Sequence, residues 1–458
     1  MGRASVPIAA SGGAFDGVLK GPVTKLGGGG KLTIASVEIG GRGAGAVNAE
    51  LTVFPGSVRV EALAPSVNTS LNISVGLAKP NPFDGRATLA DYDIGALLGL
   101  AGVAAADAGS MRGRISSSVV MKGDLRNPQA ANVTLDVAPI EATAFDVPIV
   151  MSRGLRASMT GGVLRLEDVT TNIGGLAVNL GGVFATDRSS GTLRLDVDGD
   201  VAPLTPWFSR LSKGDAVAAA GRITAHLQTR VSSAGLVTTG TLNTTLTTLS
   251  KGDRILSRDV RAAVVLTGGR AELREAMGSV LGGELTATGD APLSWLNQWL
   301  PSGFHLAPPA IDRPAALEGT ASIDLPAVFE IFQRTPMEAV GGSIELSAKL
   351  TASSPDVAAI EGDLTLERAA VTVKDLTYTQ SDVTRLRLNS GALTIESLDW
   401  RGPGSKVVGS GTLGLGLVKG IETNVRLDVD TELGILGLLL SGRATGRLTG
   451  TIEVHGEA

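Results

Sequence analysis

Apolar and polar residues alternate with a period of two through most of this chain. Leu193-Arg194-Leu195-Asp196-Val197-Asp198 puts three aliphatics on one side and three charges on the other, and Val425-Arg426-Leu427-Asp428-Val429-Asp430 does the same. Ile344-Glu345-Leu346-Ser347 is a shorter case. This period predicts β-strands wetted on one face only, the pattern of an antiparallel sheet. Turn residues punctuate the pattern at the spacing of short strands. They predict hairpins at Gly161-Gly162, Gly174-Gly175, Gly181-Gly182, Gly268-Gly269, Gly282-Gly283 and Gly341-Gly342.

The alternating segments repeat. Gly56-Ser57-Val58-Arg59-Val60-Glu61-Ala62-Leu63 returns as Gly162-Val163-Leu164-Arg165-Leu166-Glu167-Asp168-Val169. It returns again from Gly269 to Ala276 and from Gly391 to Leu398, the leading glycines lying 106, 107 and 122 residues apart. A second landmark, Gly113-Arg114-Ile115, recurs at Gly221, Gly342 and Gly446, at spacings of 108, 121 and 104. Two landmarks on one beat predict a repeat protein. The expected organisation is one elongated β-groove domain over 1–458, with repeats at about 1–108, 109–216, 217–337 and 338–441 and the start of a fifth at 442–458. The last strand reads as cut off in mid-pattern, so a piece of a longer protein is expected.

Short stretches opening on an acidic residue fall between the copies, at Asp93, Asp200, Asp324 and Asp430. An acidic N-cap before helically spaced apolar residues predicts one or two turns of amphipathic helix at each. The third copy carries an extra segment from Pro292 to Pro301 and a Pro-rich loop through Pro314.

Composition sharpens this picture. Glycine is 61 of 458 residues and aromatics only 3%, so the apolar surface is aliphatic and spread along the chain rather than gathered in a bulky core. The charge is nearly balanced at −5 with no basic stripe, so no nucleic-acid partner is expected. Cysteine is absent. The N-terminal residues lack an apolar signal core, and the longest apolar runs, Ile94 to Ala106 and Leu433 to Leu440, fall short of the ~20 residues of a membrane-spanning helix.

Taken together, the Gly-x-Leu-x-Leu-x-x-Leu strand, the turn elements Gly123-Asp124-Leu125…Pro128 and Pro355…Gly362-Asp363-Leu364, the hairpin at Leu281-Gly282-Gly283-Glu284 and the Asp-led helices resemble the periplasmic part of the TamB family of translocation and assembly module proteins, within the AsmA-like group. The resemblance spans essentially the whole chain and rests on pattern. It implies an all-β fold, an elongated repeat-built antiparallel sheet curled into a taco-like groove with short amphipathic helices between repeats. It also implies phospholipid transport between inner and outer membrane in the periplasm, in support of outer-membrane biogenesis and protein assembly. The partners it implies are phospholipid acyl chains and an outer-membrane barrel of the BamA/TamA type. Its inner-membrane anchor and its barrel-docking region both lie outside this chain.

No enzyme chemistry is expected. The three histidines, His226, His305 and His455, stand in different repeats, which suggests neither a metal cluster nor a triad. Gly409-Ser410-Gly411-Thr412-Leu413-Gly414 matches a dinucleotide fingerprint, but a strand-like segment follows it, so hairpin glycines are the expectation. Asp196-Val197-Asp198-Gly199-Asp200 lacks the glycine and glutamate of a calcium loop and reads as the wet face of a strand. Gly27 to Gly30 lacks the Lys-Ser/Thr of a phosphate loop and reads as a turn. No cofactor is expected. Trp207, Trp295 and Trp299 sit on the helix-like inserts and Trp400 ends a strand. They either pin these inserts to the sheet or line a groove rim and gate lipid headgroups.

The expected binding surface is the apolar face itself. Its inward positions are Leu164, Leu166, Leu193, Leu195, Val197, Ile344, Leu346, Leu364, Leu366, Leu393, Ile395, Leu413, Leu415, Val425, Leu427 and Val429. Some ~35 strands at ~4.8 Å would span roughly 165 Å. The alternative reading is an extracellular β-rich adhesin or autotransporter passenger, whose solenoid rungs repeat at a shorter period.

Overall fold

The computed structural model describes residues 8–22, 25–39, 42–100, 109–127, 130–187, 189–211, 217–232, 235–252, 254–298, 305–327, 340–373, 376–415, 421–432 and 446–457. The chain is all-β, with 28 strands among these residues and a few short helices. By contacts it divides into two units, Met1–Trp207 with His226–Ser233, and Phe208–Ala225 with Ala234–Ala458.

The first unit begins as a meander. Its strands are β1 (Ile8–Lys20), β2 (Gly27–Ile39), β3 (Arg42–Phe54), β4 (Ser57–Ala64), β5 (Thr69–Gly76), β6 (Pro82–Asp93) and β7 (Met111–Asp124). Each pairs antiparallel with the next. Four short strands follow: β8 (Asn132–Val137), β9 (Ile140–Ala144), β10 (Val147–Met151) and β11 (Leu155–Thr160). β7 pairs with β8 over one stretch and with β9 over another, while β11 and β10 carry the two halves on to β12 (Val163–Ile173). β13 (Leu176–Ala185) and β14 (Gly191–Asp200) complete the run.

The sixteen-residue β15 (Val217–Ser232) comes next. The second unit then runs β16 (Gly235–Lys251), β17 (Arg254–Thr267), β18 (Arg270–Val280), β19 (Gly283–Pro292), β20 (Ala315–Asp324), β21 (Val340–Ala352) and β22 (Ile360–Val373), again antiparallel throughout. The short β23 (Leu376–Gln380) and β24 (Thr384–Asn389) share one slot, both pairing with β22 and with β25 (Ala392–Gly402). β26 (Ser405–Gly414), β27 (Glu422–Glu432) and β28 (Arg447–Glu457) close the series. Among the described residues the first unit thus has two adjacent split slots, β8 with β9 and β10 with β11, and the second unit has one, β23 with β24. Among the described residues the strands are longer than the turn spacing predicts, several of them exceeding twelve residues.

One device explains why the repeated motif spaces its last apolar residue by three rather than two. In β12 the register to β13 shifts between Leu166 and Val169, in β18 to β19 between Leu273 and Ala276, and in β25 to β26 between Ile395 and Leu398. Each shift is a β-bulge in which two residues oppose one, so both flanking apolar residues return to the same face. Gly181 stands opposite the bulge of β12, where a Cβ would collide with the carboxylate of Asp168. The first copy has no such shift. Leu63 therefore turns to the polar face, level with Asn48 and Ser70, and is 58% exposed.

Hairpin turns form at Gly161-Gly162, at Gly174-Gly175 and at Gly268-Gly269 as expected, and Leu281-Gly282 turns β18 into β19. Four glycine expectations are corrected. Gly181-Gly182, Gly341-Gly342 and Gly409 to Gly414 lie inside β13, β21 and β26, and Gly27 to Gly30 opens β2. These glycines serve close strand approach rather than reversal. A Cβ at Gly30, for instance, would meet the ring of Phe15 on the next strand. The segment Gly362-Asp363-Leu364 is likewise strand interior, whereas Asp124 does make a turn, its carboxylate accepting the Arg126 N–H at 2.9 Å.

Two of the Asp-led segments are helical as read. Asp93 caps α1 (Ile94–Leu100), accepting the Ala96 N–H at 2.7 Å. Asp200 accepts the Ala202 N–H at 2.9 Å at the start of a 3-10 turn, Ala202–Leu204, that runs into α2 (Thr205–Leu211). The segment after Asp324 is helical over 325–327, and its remainder, with Phe329 and Phe332, lies outside the described residues. The segment at Asp430 is corrected: residues 430–432 belong to β27, because Asp430 pairs with Thr449 on β28, and 433–445 lie outside the described residues.

Well-buried side chains gather under these inserts. In the first unit Ala144, Val147, Leu176, Val201 and Leu204 are buried together near the 3-10 turn. The Trp207 indole pins α2 by donating to the Ala144 carbonyl at 2.9 Å. In the second unit Leu293 and Ala307 are buried beside the Pro-rich loop.

Candidate functional site

The strand registers assemble the alternating residues into rows that run across the strands. In the first unit Phe15, Leu32, Ala49, Ala62, Leu71, Ala87, Val119, Leu135, Ala157, Leu166, Gly182 and Leu193 stand opposite one another in turn, one from each of twelve strands, β1 to β8 and β11 to β14. The row two residues along is equally apolar, from Gly17 and Gly30 through Leu51, Val60, Ile73, Gly85, Met121, Val133, Met159, Leu164 and Phe184 to Gly191. Neither row contains a polar side chain.

The second unit repeats the arrangement. Leu242, Val264, Leu273, Gly289, Leu317, Leu350, Gly362, Leu388, Leu393 and Leu413 form a row over ten strands. Beside it run Ala287, Gly319, Ala348, Leu364, Leu386, Ile395, Gly411, Val425 and Val454.

The opposite faces carry the charge. Asp16, Lys31, Glu50, Glu61, Asn72 and Arg86 form one row of the first unit. Glu318, Lys349, Asp363 and Arg387 form one of the second, with Lys349 to Glu318 at 2.9 Å and Arg387 to Asp363 at 3.2 Å. The Glu318 carboxylate raises the Lys349 ammonium above its ordinary range, and Asp363 does the same for the Arg387 guanidinium. Such solvent-screened pairs contribute little, so they mark the wet side more than they hold the fold.

The sixteen apolar positions read from the sequence fall on these faces. Leu164, Leu166, Leu193, Leu195 and Val197 share the apolar face of the first unit. Ile344, Leu346, Leu364, Leu366, Leu393, Ile395, Leu413, Val425, Leu427 and Val429 share that of the second, and Leu415 follows at the end of β26. Only Val425 among the sixteen is buried; Leu164, Leu413 and Leu415 are exposed and the other twelve are half-buried. Most of these leucines and valines therefore keep contact with solvent.

Sequence reading missed most of the first unit's face, including Leu51, Val60, Leu71, Ile73, Val119 and Leu135. In the second unit it missed Leu242, Leu273, Leu317, Leu350, Leu386 and Leu388. These strands interleave alanine, glycine and serine with the larger aliphatics, so their alternation is shallow and only the cross-strand register reveals it.

One stretch of the second unit's face is concave. Val264, Ala271, Leu273, Gly289, Ala291, Ala315, Leu317, Leu350, Ala352 and Ile360 line a cavity of about 400 Å³ whose wall is almost wholly hydrocarbon. Among the described residues no group of three or more His, Asp and Glu side chains could hold a metal ion. His226 lies 2.9 Å from Asp196 and His455 lies 3.5 Å from Glu453, both on exposed polar faces. The His226 hydrogen bond, reinforced by Arg194, lowers the Asp196 carboxyl below its usual value. No described helix is long and apolar enough to cross a membrane.

The rows, then, define a class: an antiparallel β protein presenting long aliphatic faces. No family model matches the chain, nor does any curated protein or solved structure.

Proposed function

We propose that this chain carries phospholipid acyl chains across its apolar faces, as a section of a bridge between inner and outer membrane that serves outer-membrane biogenesis and protein assembly. One observation carries the reading: twelve neighbouring strands contribute an aliphatic or aromatic residue or a glycine, with no polar interruption, to a row that stays open to solvent. Apolar patches of this extent on a soluble surface mark something that binds there. A small-molecule site adds a few placed polar groups to fix its ligand's orientation. These rows have none, which suits a ligand with no fixed register, a hydrocarbon chain.

The energetics agree. Drawing a 16-carbon chain into water costs roughly 12 kcal/mol at ~0.8 kcal/mol per CH₂. An aliphatic surface that offers the chain an apolar contact at each step removes most of that barrier. The membranes served, the periplasmic setting and the barrel partner of the BamA/TamA type come from the family resemblance.

The test places a charge on the face. Leu195→Arg or Leu427→Arg should abolish transfer of labelled phospholipid between vesicles while leaving the far-UV circular dichroism unchanged. Wild-type transfer rates in both variants would refute the reading.

A further inference from the structure

The polar face of the first unit has a hollow of its own. A cavity of about 570 Å³ lies over β2 to β6, and ten of its fourteen lining residues belong to the polar face. Its size falls within the ~300–1,000 Å³ of small-ligand sites. The register sets those ten residues out as two rows, each strand giving one residue to each row. Lys31, Glu50, Glu61, Asn72 and Arg86 form the first, and Thr33, Asn48, Leu63, Ser70 and Thr88 the second. Ser70 and Thr88 are half-buried and the other eight are exposed.

Leu63 is the one aliphatic side chain among the ten. In the other three copies a bulge carries the matching residue, Val169, Ala276 or Leu398, back to the apolar face. Here the bulge is missing, and the leucine stands between Asn48 and Ser70 with 58% of its surface exposed. It offers an apolar contact in the middle of a floor of hydrogen-bonding groups.

Those groups suit one chemistry. Two cations and two carboxylates cancel, so the cavity favours neither a phosphate nor a metal ion. Lys31 and Arg86 can only donate, Glu50 and Glu61 can only accept, and the amides and hydroxyls between them do both. A fitting ligand therefore carries no net charge, donates and accepts at many points, and shows an apolar patch. A pyranose sugar has all three properties, its hydroxyls working both ways and its ring presenting a C–H face. Glu50 and Glu61 stand directly opposite each other, an unfavourable placement that donated hydroxyls would relieve. Asn72 donates to Glu61 Oε1 at 3.2 Å and so orients that carboxylate. A peptide fits less well, because β2 to β6 are each paired on both sides and leave no backbone edge for strand addition.

We propose that this cavity binds a neutral oligosaccharide of pyranose units. Leu63 packs against the C–H face of one ring, Glu50 and Glu61 accept from its hydroxyls, and the Asn48 and Asn72 amides bond on either side. The five strands span roughly 19 Å, room for several linked sugars. The site lies on the face opposite the aliphatic rows, so it is a second activity beyond lipid carriage, and its failure would leave that reading untouched.

The experiment titrates the full chain with chitopentaose and, separately, cellopentaose, following saturation-transfer difference signals from the ring protons, with pentaalanine as a neutral peptide control. Wild type should bind at least one of the two sugars and not the peptide. Leu63→Ser and, independently, Glu50→Ala should weaken that binding roughly fivefold or more, the loss of about one contact. Lys349→Ala, on the polar face of the second unit, should leave it unchanged. All three side chains are exposed, so far-UV circular dichroism should match wild type in each variant. No signal from either sugar, equal binding of pentaalanine, or sugar binding that survives both Leu63→Ser and Glu50→Ala overturns the proposal.

Discussion

The indole nitrogen of Trp207 donates to the carbonyl of Ala144, 63 residues earlier in the chain, at 2.9 Å. That contact ties α2 to the end of the short β9, where Val147 and Leu204 are also buried. Trp207→Phe keeps an aromatic ring but removes both the donor and the second ring of the indole, and should cost about 1–3 kcal/mol. Urea unfolding checks it; an unchanged midpoint would show that packing alone holds the helix.

Arg270 and Arg313 share the Asp290 carboxylate but should differ widely in consequence. Arg270→Met leaves a nearly buried carboxylate short of its main partner and frees the carbonyls of Arg313 and Pro314, and should destabilise by roughly 3–5 kcal/mol. Arg313→Gln, at an exposed side chain, should cost no more than ~1 kcal/mol. Paired denaturation curves decide; equal losses would contradict the assigned geometry.

Thr384 is only 1% exposed and its hydroxyl finds no hydrogen-bond partner. It sits level with Leu366 on the apolar face of the second unit. Thr384→Val removes an unsatisfied polar group at nearly constant volume, and should be neutral or stabilising by up to ~1 kcal/mol. A loss of stability in thermal melts would mean the hydroxyl has a partner.

Several carboxylates on the polar faces should make the fold sensitive to acid. Arg447 holds the Asp430 carboxyl below its usual value through bonds of 2.6 and 2.7 Å, helped by Thr449, and Arg401 does the same for Asp399. A folded-state value below the unfolded one gives stability that is complete above the unfolded value, ~3.9, and lost as pH falls through the folded one. Urea midpoints should therefore drop below about pH 4. Asp430→Asn should lower stability near neutrality and flatten that acid limb; an unaltered limb would remove Asp430 from the account.

Leu63 and Leu71 look alike in sequence and should respond oppositely to charge. Leu63 faces the polar side, so Leu63→Lys should fall within ~0.5 kcal/mol of wild type in stability and leave lipid binding intact. Leu71→Lys places a cation in the middle of the apolar row and should impair vesicle lipid uptake. Equal uptake by the two variants would deny the difference between the faces.

That pair also shows what a linear reading can and cannot see. Strong alternation, as in Leu193 to Asp198, fixes strand and face together, because a one-residue slip would turn every leucine outward. The three-residue step from Leu166 to Val169, like its counterpart from Val60 to Leu63, leaves the face undecided, since a bulge and a plain strand give opposite answers. The bulge is present in β12, β18 and β25 and missing from β4, and only the partner strands decide which. Paired glycines carried a similar ambiguity: Gly161-Gly162 reverses the chain, while Gly181-Gly182 lies flat beneath a bulge. The Arg270–Asp290 anchor was invisible because its carbonyl partners come from a loop more than forty residues away.

Because the rows cross the strands at right angles, each strand adds only one step of ~4.8 Å to them. Inserting or deleting a hairpin would lengthen or shorten such a face by roughly a nanometre and leave its width as it was. Reach in this architecture is a counted quantity, open to adjustment by duplication of short stretches of gene, with no need to redesign what is already there.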